Sequence, residues 1–409
     1  MSSKRLGKLA MASLLGIALL GSTACSNPGG EASGGDSAGA IEVWDYLGQG
    51  VSDTAMKAVV AAFEEKHPDI KVNRTSFAFA DLSKSIVQGG VGGQVPDVAI
   101  VDVVDNQNFA ALGLLQDVAD LPAAQESDFY PGPWSSTQLD GKTYGLPLNS
   151  NNLALYYNKE ILDAAGVSAP GNWEELRDVA KQVTSPDHYG IAMSAIKNEQ
   201  GTFQFLPFLW QTGGDLDTYA TDGATALGFL KDLVDDGSMS KAVSNYSQED
   251  ARTQFVTGKA AMMINGPWEL QNLADSGIDF GVAPLPKGEV AATGLGGENV
   301  VTFAQAKNKD GANAFLEFIT SAEGATIYCN ESGQLSARPD LSGTLAAADD
   351  PNLQVFEKQL EVARARAYGG NYAEISAAVQ ISLQKVLTGA ASPQEAAEEA
   401  ATVIDAKLG

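Results

Sequence analysis

Residues 258–268 read GKAAMMINGPW, and this stretch is the most informative one for the fold. Residues 261–264 are an uncharged apolar run, which predicts a buried strand. Asn265, Gly266 and Pro267 then form a turn, and Trp268 follows it. α/β proteins hold ligands just past the ends of their strands. Trp268 is therefore the first candidate for a ligand-binding residue, with a packed core tryptophan as the alternative.

The chain on both sides of this stretch alternates between short apolar runs and helical periodicity. Met56, Val59, Val60 and Phe63 have the spacing of an amphipathic helix. Asn172 begins a capping-box pattern, Ser247 is placed to cap a helix that stops at Gly258, and Pro393 follows a serine cap. Strands are predicted at residues 41–44, 70–72, 98–101 and 280–283. Alternation of this kind is typical of an α/β architecture.

The first 24 residues have the composition of a secretory signal peptide. Three positive charges (Lys4, Arg5 and Lys8) precede an apolar run at residues 9–20, which is too short to span a bilayer. Small residues then lead to Cys25, which predicts lipidation of Cys25 and cleavage before it. Ser22 stands where lipoproteins usually carry leucine, so ordinary secretion remains the alternative.

Beyond the leader, the sequence predicts a flexible linker followed by an acidic exported chain. Residues 25–40 contain five glycines, three serines and no large apolar residue, so they predict a linker with a reach of about 20 Å. The net charge is −25 for the whole chain and argues against nucleic acid as a partner. The only other cysteine, Cys329, follows an apolar stretch and is expected to be a small buried side chain.

The sequence lacks the motifs of most enzyme and metal sites. His67 and His188 are the only histidines, and both fall in predicted turns, so neither a zinc site nor an oriented catalytic histidine is expected. There is no phosphate-binding loop motif, and no cofactor is predicted. A glycosidase stays open, because it needs only two carboxylates about 5–9 Å apart and the chain has 51 acidic residues.

Several stretches, in order, resemble the family 1 extracellular solute-binding proteins of ABC importers, which include the maltose-binding protein. They extend over most of residues 41–409, and the stretch at 258–268 is the most specific of them. The others are residues 63–72 (FEEKHPDIKV), 96–98 (PDV), 113–115 (GLL), 140–147 (DGKTYGLP), 155–159 (LYYNK), 173–176 (WEEL), 280–286 (FGVAPLP) and 321–324 (SAEG).

The resemblance implies a two-lobed, periplasmic-binding-protein-like α/β fold of type II, with a ligand cleft between lobes that close by a hinge motion. We place lobe one at residues 41–146 plus 301–342, and lobe two at residues 147–300 plus 343–409. The resemblance also implies a monomeric binding protein, not an enzyme. Together with the predicted lipidation of Cys25, it places the protein on the extracellular face of the cell membrane. Such a protein would capture a carbohydrate, favouring an oligosaccharide, and deliver it to the ABC permease subunits in the membrane.

Five aromatic residues are candidate platforms for the apolar faces of a sugar. Trp268 is the strongest of them. Trp210 lies in a stretch predicted to be irregular (residues 209–215), and a core position is an equal alternative. Tyr46 ends the first strand, Phe79 belongs either to the cleft or to a half-buried strand, and Tyr368 lies beside two glycines in a loop that could cover the ligand.

Five polar residues are candidate partners for sugar hydroxyls, which bind in pairs to planar polar groups. Asp45 and Asp102 end predicted strands, and Asp215 follows two glycines, with a helix cap as its alternative. Asn151 lies just past the first crossing between lobes, where the resemblance implies an acidic contact, and Glu298 lies at a second crossing. Alternative functions are the same scaffold with a polyamine or glycerol phosphate, a surface-anchored glycosidase, or a sensor that serves a membrane kinase.

Overall fold

The computed structural model describes residues 39–408, so the predicted leader, the lipidation site at Cys25 and nearly all of the linker lie outside the described residues. The helices are α1 Gly50–Lys66, α2 Phe79–Gly92, α3 Asp105–Ala111, α4 Pro131–Ser136, α5 Lys159–Ala165, α6 Trp173–Val183, α7 Glu199–Gln211, α8 Ala224–Asp235, α9 Gln248–Val256, α10 Leu270–Ser276, α11 Lys309–Ile319, α12 Ala322–Ser332, α13 Pro351–Gln359, α14 Tyr372–Leu387 and α15 Pro393–Asp405. The strands are β1 Ala40–Asp45, β2 Lys71–Ser76, β3 Val98–Asp102, β4 Gln138–Leu139, β5 Lys142–Thr143, β6 Leu146–Pro147, β7 Asn149–Ser150, β8 Ala154–Asn158, β9 Tyr189–Ala192, β10 Ala260–Asn265, β11 Phe280–Ala283, β12 Thr293–Leu295, β13 Glu298–Thr302, β14 Leu335–Ser336 and β15 Ala363–Ala365.

The first large sheet has the strand order β2-β1-β3-β13-β6. β1 is parallel to β2 and β3, whereas β13 is antiparallel to β3 and β6. In the register of β3 and β13, Asp102 lies opposite Glu298. The aliphatic residues of β3 are fully buried, as expected for a strand that is covered on both faces. The parallel strands therefore end together at one edge, which carries Tyr46, Asp102 and Glu298.

The second large sheet has the order β11-β8-β10-β9. β10, predicted from the apolar run at residues 261–264, is buried along its whole length and lies between β8 and β9. Both large sheets have cores of their own: Phe63, Phe315 and Ile319 pack on the first, whereas Leu206, Leu230 and Val379 pack on the second. Two sheets with separate cores make two lobes.

The chain passes between the two large sheets at β6 to β8, at β12 to β13 and after β14. Two small sheets support these crossings, because β7 pairs with β14 and β12 pairs with β15. The residue ranges that we assigned to the lobes remain a prediction.

Helix ends confirm part of the local reasoning and correct part of it. Ser247 and Ser392 form capping boxes with Asp250 and Glu395, and Ser392 does so with a proline at the first helical position. One expectation was wrong, because the region predicted as irregular from residue 209 is still inside α7 up to Gln211. The alternative considered for Phe79, a half-buried strand, is excluded, since Phe79 begins α2.

Two further features follow from burial and length. Cys329 is buried in the first core, as predicted, and is a free thiol whose pKa is raised by burial. Within residues 39–408, no helix has both the length and the apolar character needed to cross a bilayer.

Candidate functional site

A cavity of about 760 Å³ opens where the edges of the two sheets face each other. The first residues of α1, α2, α7 and α9 line it, together with the last residue of β3 and the loops that follow β1, β2 and β10. Its lining residues are Tyr46, Leu47, Gly48, Gln49, Gly50, Val51, Ser52, Ser76, Phe77, Ala78, Phe79, Ala80, Asp102, Asn151, Asn198, Glu199, Gln200, Phe203, Ser247, Gln248, Glu249, Arg252, Trp268, Glu269, Asn272, Gly296, Gly297, Glu298, Gln334 and Arg366.

Aromatic side chains stand on opposite walls of this cavity. Tyr46 and Phe79 form an edge-to-face pair with ring centroids 4.9 Å apart on the wall of the first lobe. Trp268 is half-buried on the wall of the second lobe. Its ring folds back over Gly266, where a Cβ would collide with the indole unless the ring turned away. The Tyr156 hydroxyl donates to the Gly266 carbonyl oxygen (2.7 Å) and fixes the turn.

Arg366 lies at the centre of a buried network at the bottom of the cavity. Its guanidinium donates to Asp102 Oδ1 (3.3 Å) and to Glu199 Oε1, and it lies 4.2 Å above the Phe203 ring. The Tyr372 hydroxyl also donates to Glu199 Oε1 (2.7 Å). Asp102 ends a strand of the first sheet and Glu199 begins a helix of the second lobe, so the network joins the two lobes.

Burial sets the protonation of this network. Burial opposes the charge on Arg366, but Asp102 and Glu199 outweigh it and raise the pKa of the guanidinium. Burial raises the pKa of Glu199, although Arg366 opposes the shift. Burial, followed by Asp102 and Glu199, also raises the pKa of neighbouring Asp105 to about 8. The Arg366 guanidinium therefore pairs with both Asp102 and Glu199, while Asp105 stays largely protonated at neutral pH.

Glu298 is a buried carboxylate with little compensation. The Tyr46 hydroxyl donates to its Oε1 (2.7 Å), and Glu298 is 5 % exposed. Burial raises the pKa of Glu298 to about 7; the hydrogen bond from Tyr46 and the nearby Asn149 side chain oppose this, and Asp102 adds to it. Neither Asn149 Nδ2 nor Glu298 Oε2 closes a hydrogen bond within the described chain.

A third charged group lies beside Trp268. Glu269 accepts hydrogen bonds from Arg252 (3.2 Å) and Asn272 (2.9 Å), and burial raises its pKa to about 7 against the opposing charge of Arg252. Among residues 39–408, no group of three or more histidine, cysteine or acidic side chains is arranged to hold a metal ion.

Six of the ten predicted ligand-binding residues line this one cavity: Tyr46, Phe79, Asp102, Asn151, Trp268 and Glu298. They come from distant parts of the chain and meet because the strands end at facing edges. Whether each of them binds ligand remains a prediction.

The other four predicted residues lie outside the cavity lining, and their part in ligand binding remains a prediction. Trp210 is fully buried in the core of the second lobe, where its indole N–H donates to Asp215 (3.2 Å) and to Tyr368 (3.1 Å). The Tyr368 hydroxyl also donates to Asp215 (2.6 Å), so these three residues satisfy one another. Asp45 is fully buried as the partner of Arg74. These partners already engage the polar groups that the sequence offered to a ligand.

Sequence reasoning missed many charged, polar and aromatic residues of the cavity, among them Glu199, Phe203, Arg252, Gln334 and Arg366. Glu199 and Phe203 lie on the first turns of α7, whose start after Asn198 could have been found from the asparagine cap. Arg252 lies five residues after the Ser247 cap, Gln334 follows a glycine that ends α12, and Arg366 lies between β15 and α14. Nothing local distinguishes these last three from ordinary surface residues.

Comparison with known proteins identifies the family. A sequence model described as bacterial extracellular solute-binding protein matches residues 48–326. A putative binding protein of Brucella abortus is 27% identical over 369 residues, which cover 86% of this chain and 89% of that protein.

Two solved structures share the fold at 28% identity, and each aligns with 90% of this chain. They are the GacH receptor of Streptomyces glaucescens, solved unliganded and with acarbose (TM-score 0.82, 98% of that chain), and an ABC transporter solute-binding protein of Thermotoga lettingae bound to α-D-tagatose (TM-score 0.83, 100% of that chain). The predicted two-lobed type II fold is thereby confirmed. The chain belongs to the bacterial extracellular solute-binding protein family.

Proposed function

We propose that this protein is the carbohydrate-capturing component of an ABC importer, and that it closes its two lobes over a sugar and delivers it to permease subunits in the membrane. The observation that carries the proposal is the cavity between the lobes, in which aromatic faces and buried planar polar groups stand together. Trp268, Tyr46 and Phe79 supply apolar faces, and Asn151 and Gln334 supply amides. Sugars present these two kinds of surface, since C–H faces alternate with hydroxyl edges.

Similarity to known proteins supports the same assignment. The two structural neighbours were solved with acarbose and with α-D-tagatose, and one of them is an ABC transporter component. A cavity of about 760 Å³ has room for more than one sugar ring, which favours an oligosaccharide. Closure would turn lobe one (residues 41–146 plus 301–342) against lobe two (residues 147–300 plus 343–409).

The anchoring part of the proposal rests on the N-terminal sequence. Residues 1–24 would direct export, and lipid on Cys25 with a linker at residues 26–40 would hold the binding lobes at the extracellular face of the membrane. A monomer is sufficient, because one chain supplies both walls of the cavity. Labelling cells with a radioactive fatty acid tests this directly: Cys25→Ser should abolish incorporation, and label on that variant would exclude lipidation at Cys25.

One observation keeps a glycosidase as a second candidate. Asp102 and Glu298 lie opposite each other on neighbouring strands and both belong to the cavity lining, and burial raises the pKa of Glu298 to about 7. Carboxylates in unlike environments can serve as acid and base. Against catalysis, Asp102 is already paired with Arg366. We propose that the pair binds sugar without cleaving it.

Thermal unfolding of the mature chain against a panel of mono- and oligosaccharides, polyamines and sn-glycerol 3-phosphate tests the function. A ligand that binds only the folded state adds about 2.7 kcal/mol at a hundredfold excess over Kd. Stabilisation by a neutral sugar that chromatography recovers intact is the expected result. Stabilisation by polyamine or phosphate alone would overturn the carbohydrate assignment, and consumption of the sugar would establish the glycosidase.

A further inference from the structure

An ion-pair network is hydrogen-bonded to the wall of the cavity that carries Tyr46 and Phe79. Arg74, on β2, lies at its centre: Nε and Nη2 of the guanidinium donate to the two carboxylate oxygens of Asp45, and Nη1 donates to Asp53 Oδ1 (2.6 Å). The side chain of Arg74 is 13% exposed, and that of Asp45 is fully buried. None of these three charged residues lines the cavity, so a ligand would meet the network only through the wall that it holds.

The first segment of this wall, residues 46–52, contains the loop after β1 and the start of α1, and all of it lines the cavity. Arg74 Nη2 donates to the Leu47 carbonyl oxygen (2.7 Å), and the Leu47 amide donates to Asp45 Oδ1 (2.8 Å). Asp53, which accepts from Arg74, directly follows the segment in the first turn of α1. The guanidinium therefore fixes a backbone group inside the segment and the helix that follows it.

The second segment of the wall, residues 76–80, connects β2 to α2 and is tied to the same network. The Phe77 amide donates to the Asp45 backbone carbonyl oxygen (2.8 Å). A Cβ on Gly48 would lie 2.5 Å from Ser76 Oγ, so the two segments are in close contact. Together they supply twelve of the thirty residues that line the cavity. Loss of the network would therefore release a large part of the wall.

The geometry at Arg74 requires a guanidinium. Its donors point in three directions, towards Asp45, the Leu47 carbonyl oxygen and Asp53, and two parallel bonds hold the Asp45 carboxylate. An ammonium has three donors at a single point and cannot form this fork. Burial opposes the charge on Arg74, but hydrogen bonds and charges from Asp45 and Asp53 outweigh it and raise the pKa of the guanidinium. Arg74 therefore remains charged while it holds the wall.

We propose that Arg74 is a positioning residue for ligand binding, because it holds both segments of the wall in the arrangement that faces the ligand. The inference rests on the proposed function and adds to it a residue that touches no ligand. One ring of the edge-to-face pair comes from each segment, Tyr46 from the first and Phe79 from the second. Without the guanidinium, a ligand has to order both segments as it binds, and that ordering lowers its affinity.

Two variants of Arg74 and one matched control test the proposal. Arg74→Met removes the charge and the fork, and Arg74→Lys keeps the charge alone. Arg338→Met is the control, because Arg338 is 12% exposed, holds Asp340 through the same fork and donates to the Thr320 carbonyl oxygen (3.3 Å). Neither Arg338 nor its partners line the cavity, so a merely structural arginine should behave as the control does.

Three measurements separate positioning from stability. Calorimetry gives the affinity for maltotriose, raffinose and α-D-tagatose, and urea unfolding gives the stability. Hydrogen exchange of the ligand-free protein, followed by mass spectrometry, reports the order of residues 46–52 and 76–80. Arg74→Met and Arg338→Met should both lose stability, whereas faster exchange in these two segments, by roughly tenfold, is expected in the Arg74 variants alone.

The affinity decides whether Arg74 acts on the ligand through the wall. For a sugar that the parent binds, Arg74→Met should weaken binding by roughly tenfold or more and Arg74→Lys by roughly threefold, while Arg338→Met should stay within about twofold of the parent. If Arg74→Met fails to fold, Arg74→Lys carries the same test. Parent-like affinity in a folded Arg74 variant, or unchanged exchange in both segments, would overturn the proposal. A parent that binds none of these sugars, with exchange still faster in the Arg74 variants alone, would count against the carbohydrate function and support the positioning role.

Discussion

Replacing Arg366 by methionine should destabilise the protein strongly and in a pH-dependent way. The side chain of Arg366 is 1 % exposed and is the cation shared by Asp102 and Glu199. Removing one partner of a buried ion pair costs about 3–5 kcal/mol, because a charge is left without compensation. Glu199 would keep its bonds from Tyr372 and Ser376, so we expect about 3 kcal/mol at pH 8.

The pH dependence has a definite sign. Arg366 opposes the rise that burial imposes on the pKa of Glu199, so without Arg366 the folded-state pKa of Glu199 lies further above its unfolded value. Groups with raised pKa values contribute stability that is complete at low pH and is lost as the pH rises through the folded-state pKa. The deficit of the variant should therefore be largest at pH 8 and shrink towards pH 5. Adding Glu199→Gln to Arg366→Met should recover part of it, because one orphan charge is removed.

Urea unfolding followed by circular dichroism at pH 5, 6.5 and 8 measures the effect. With a slope of about 3 kcal/mol per molar, a loss of 3 kcal/mol moves the midpoint by about 1 M. Arg177→Met is the matched control, since Arg177 is 41% exposed and pairs with acids at the surface, and its midpoint should barely move. A loss below about 1 kcal/mol at pH 8, or a loss that is the same at all three pH values, would refute the reasoning.

Three further outcomes follow from single positions. Trp268→Ala should weaken sugar binding roughly tenfold to a hundredfold, as measured by calorimetry, because an aromatic platform worth about 1.5–3 kcal/mol is lost. Trp173→Phe is the control, since Trp173 lies outside the cavity, and it should leave binding unchanged. Burial raises the pKa of Glu298 from its usual 4.5 to about 7, so its contribution to stability is complete below pH 4.5 and is lost as the pH rises through 7. Glu298→Gln should therefore exceed the parent by up to roughly 3 kcal/mol in urea unfolding at pH 8 and match it at pH 4.5; equal stability at pH 8 would contradict the assignment. Gly297→Ala should lower the free energy of unfolding by about 3 kcal/mol, because φ is +133° and the new Cβ would meet the Asn149 carbonyl. Gly141→Ala is the control, at φ +74° in open space, and should cost about 1 kcal/mol. Similar shifts of the unfolding temperature for the two variants would argue against the clash.

Local patterns were sufficient to predict much of the fold. The apolar run before Trp268 became β10, and Ser392 with Glu395 became a capping box, since both depend on residues that are close in sequence. Such features are decided by hydrophobic period and by side-chain bonds to the nearest backbone groups. The alternation of these elements was enough to indicate an α/β chain, and the ordered motifs were enough to indicate the family.

The candidate site was predicted less completely, and the errors have one cause. Trp210 and Glu199 lie on the same helix, yet one fills the core and the other lines the cavity. Which face of α7 points to the cavity depends on α14, which lies more than 150 residues away and supplies Tyr372 and Ser376. Arg366 was missed for the same reason, because its partners come from β3 and α7. A long-range charge network leaves no mark in local composition.

The buried polar groups of the cavity have different parts in binding. The Arg366 network is satisfied internally, so it fixes how the lobes meet and offers a ligand little beyond Arg366 Nε. Asn151, Glu298 and Gln334 line the cavity at the crossings, and each is more than nine-tenths buried. Hydrogen bonds formed away from water are electrostatically stronger than those at an open rim. Deoxygenating a sugar ring at the crossings should therefore weaken binding more than deoxygenating a ring at the rim, where water replaces the lost hydroxyl.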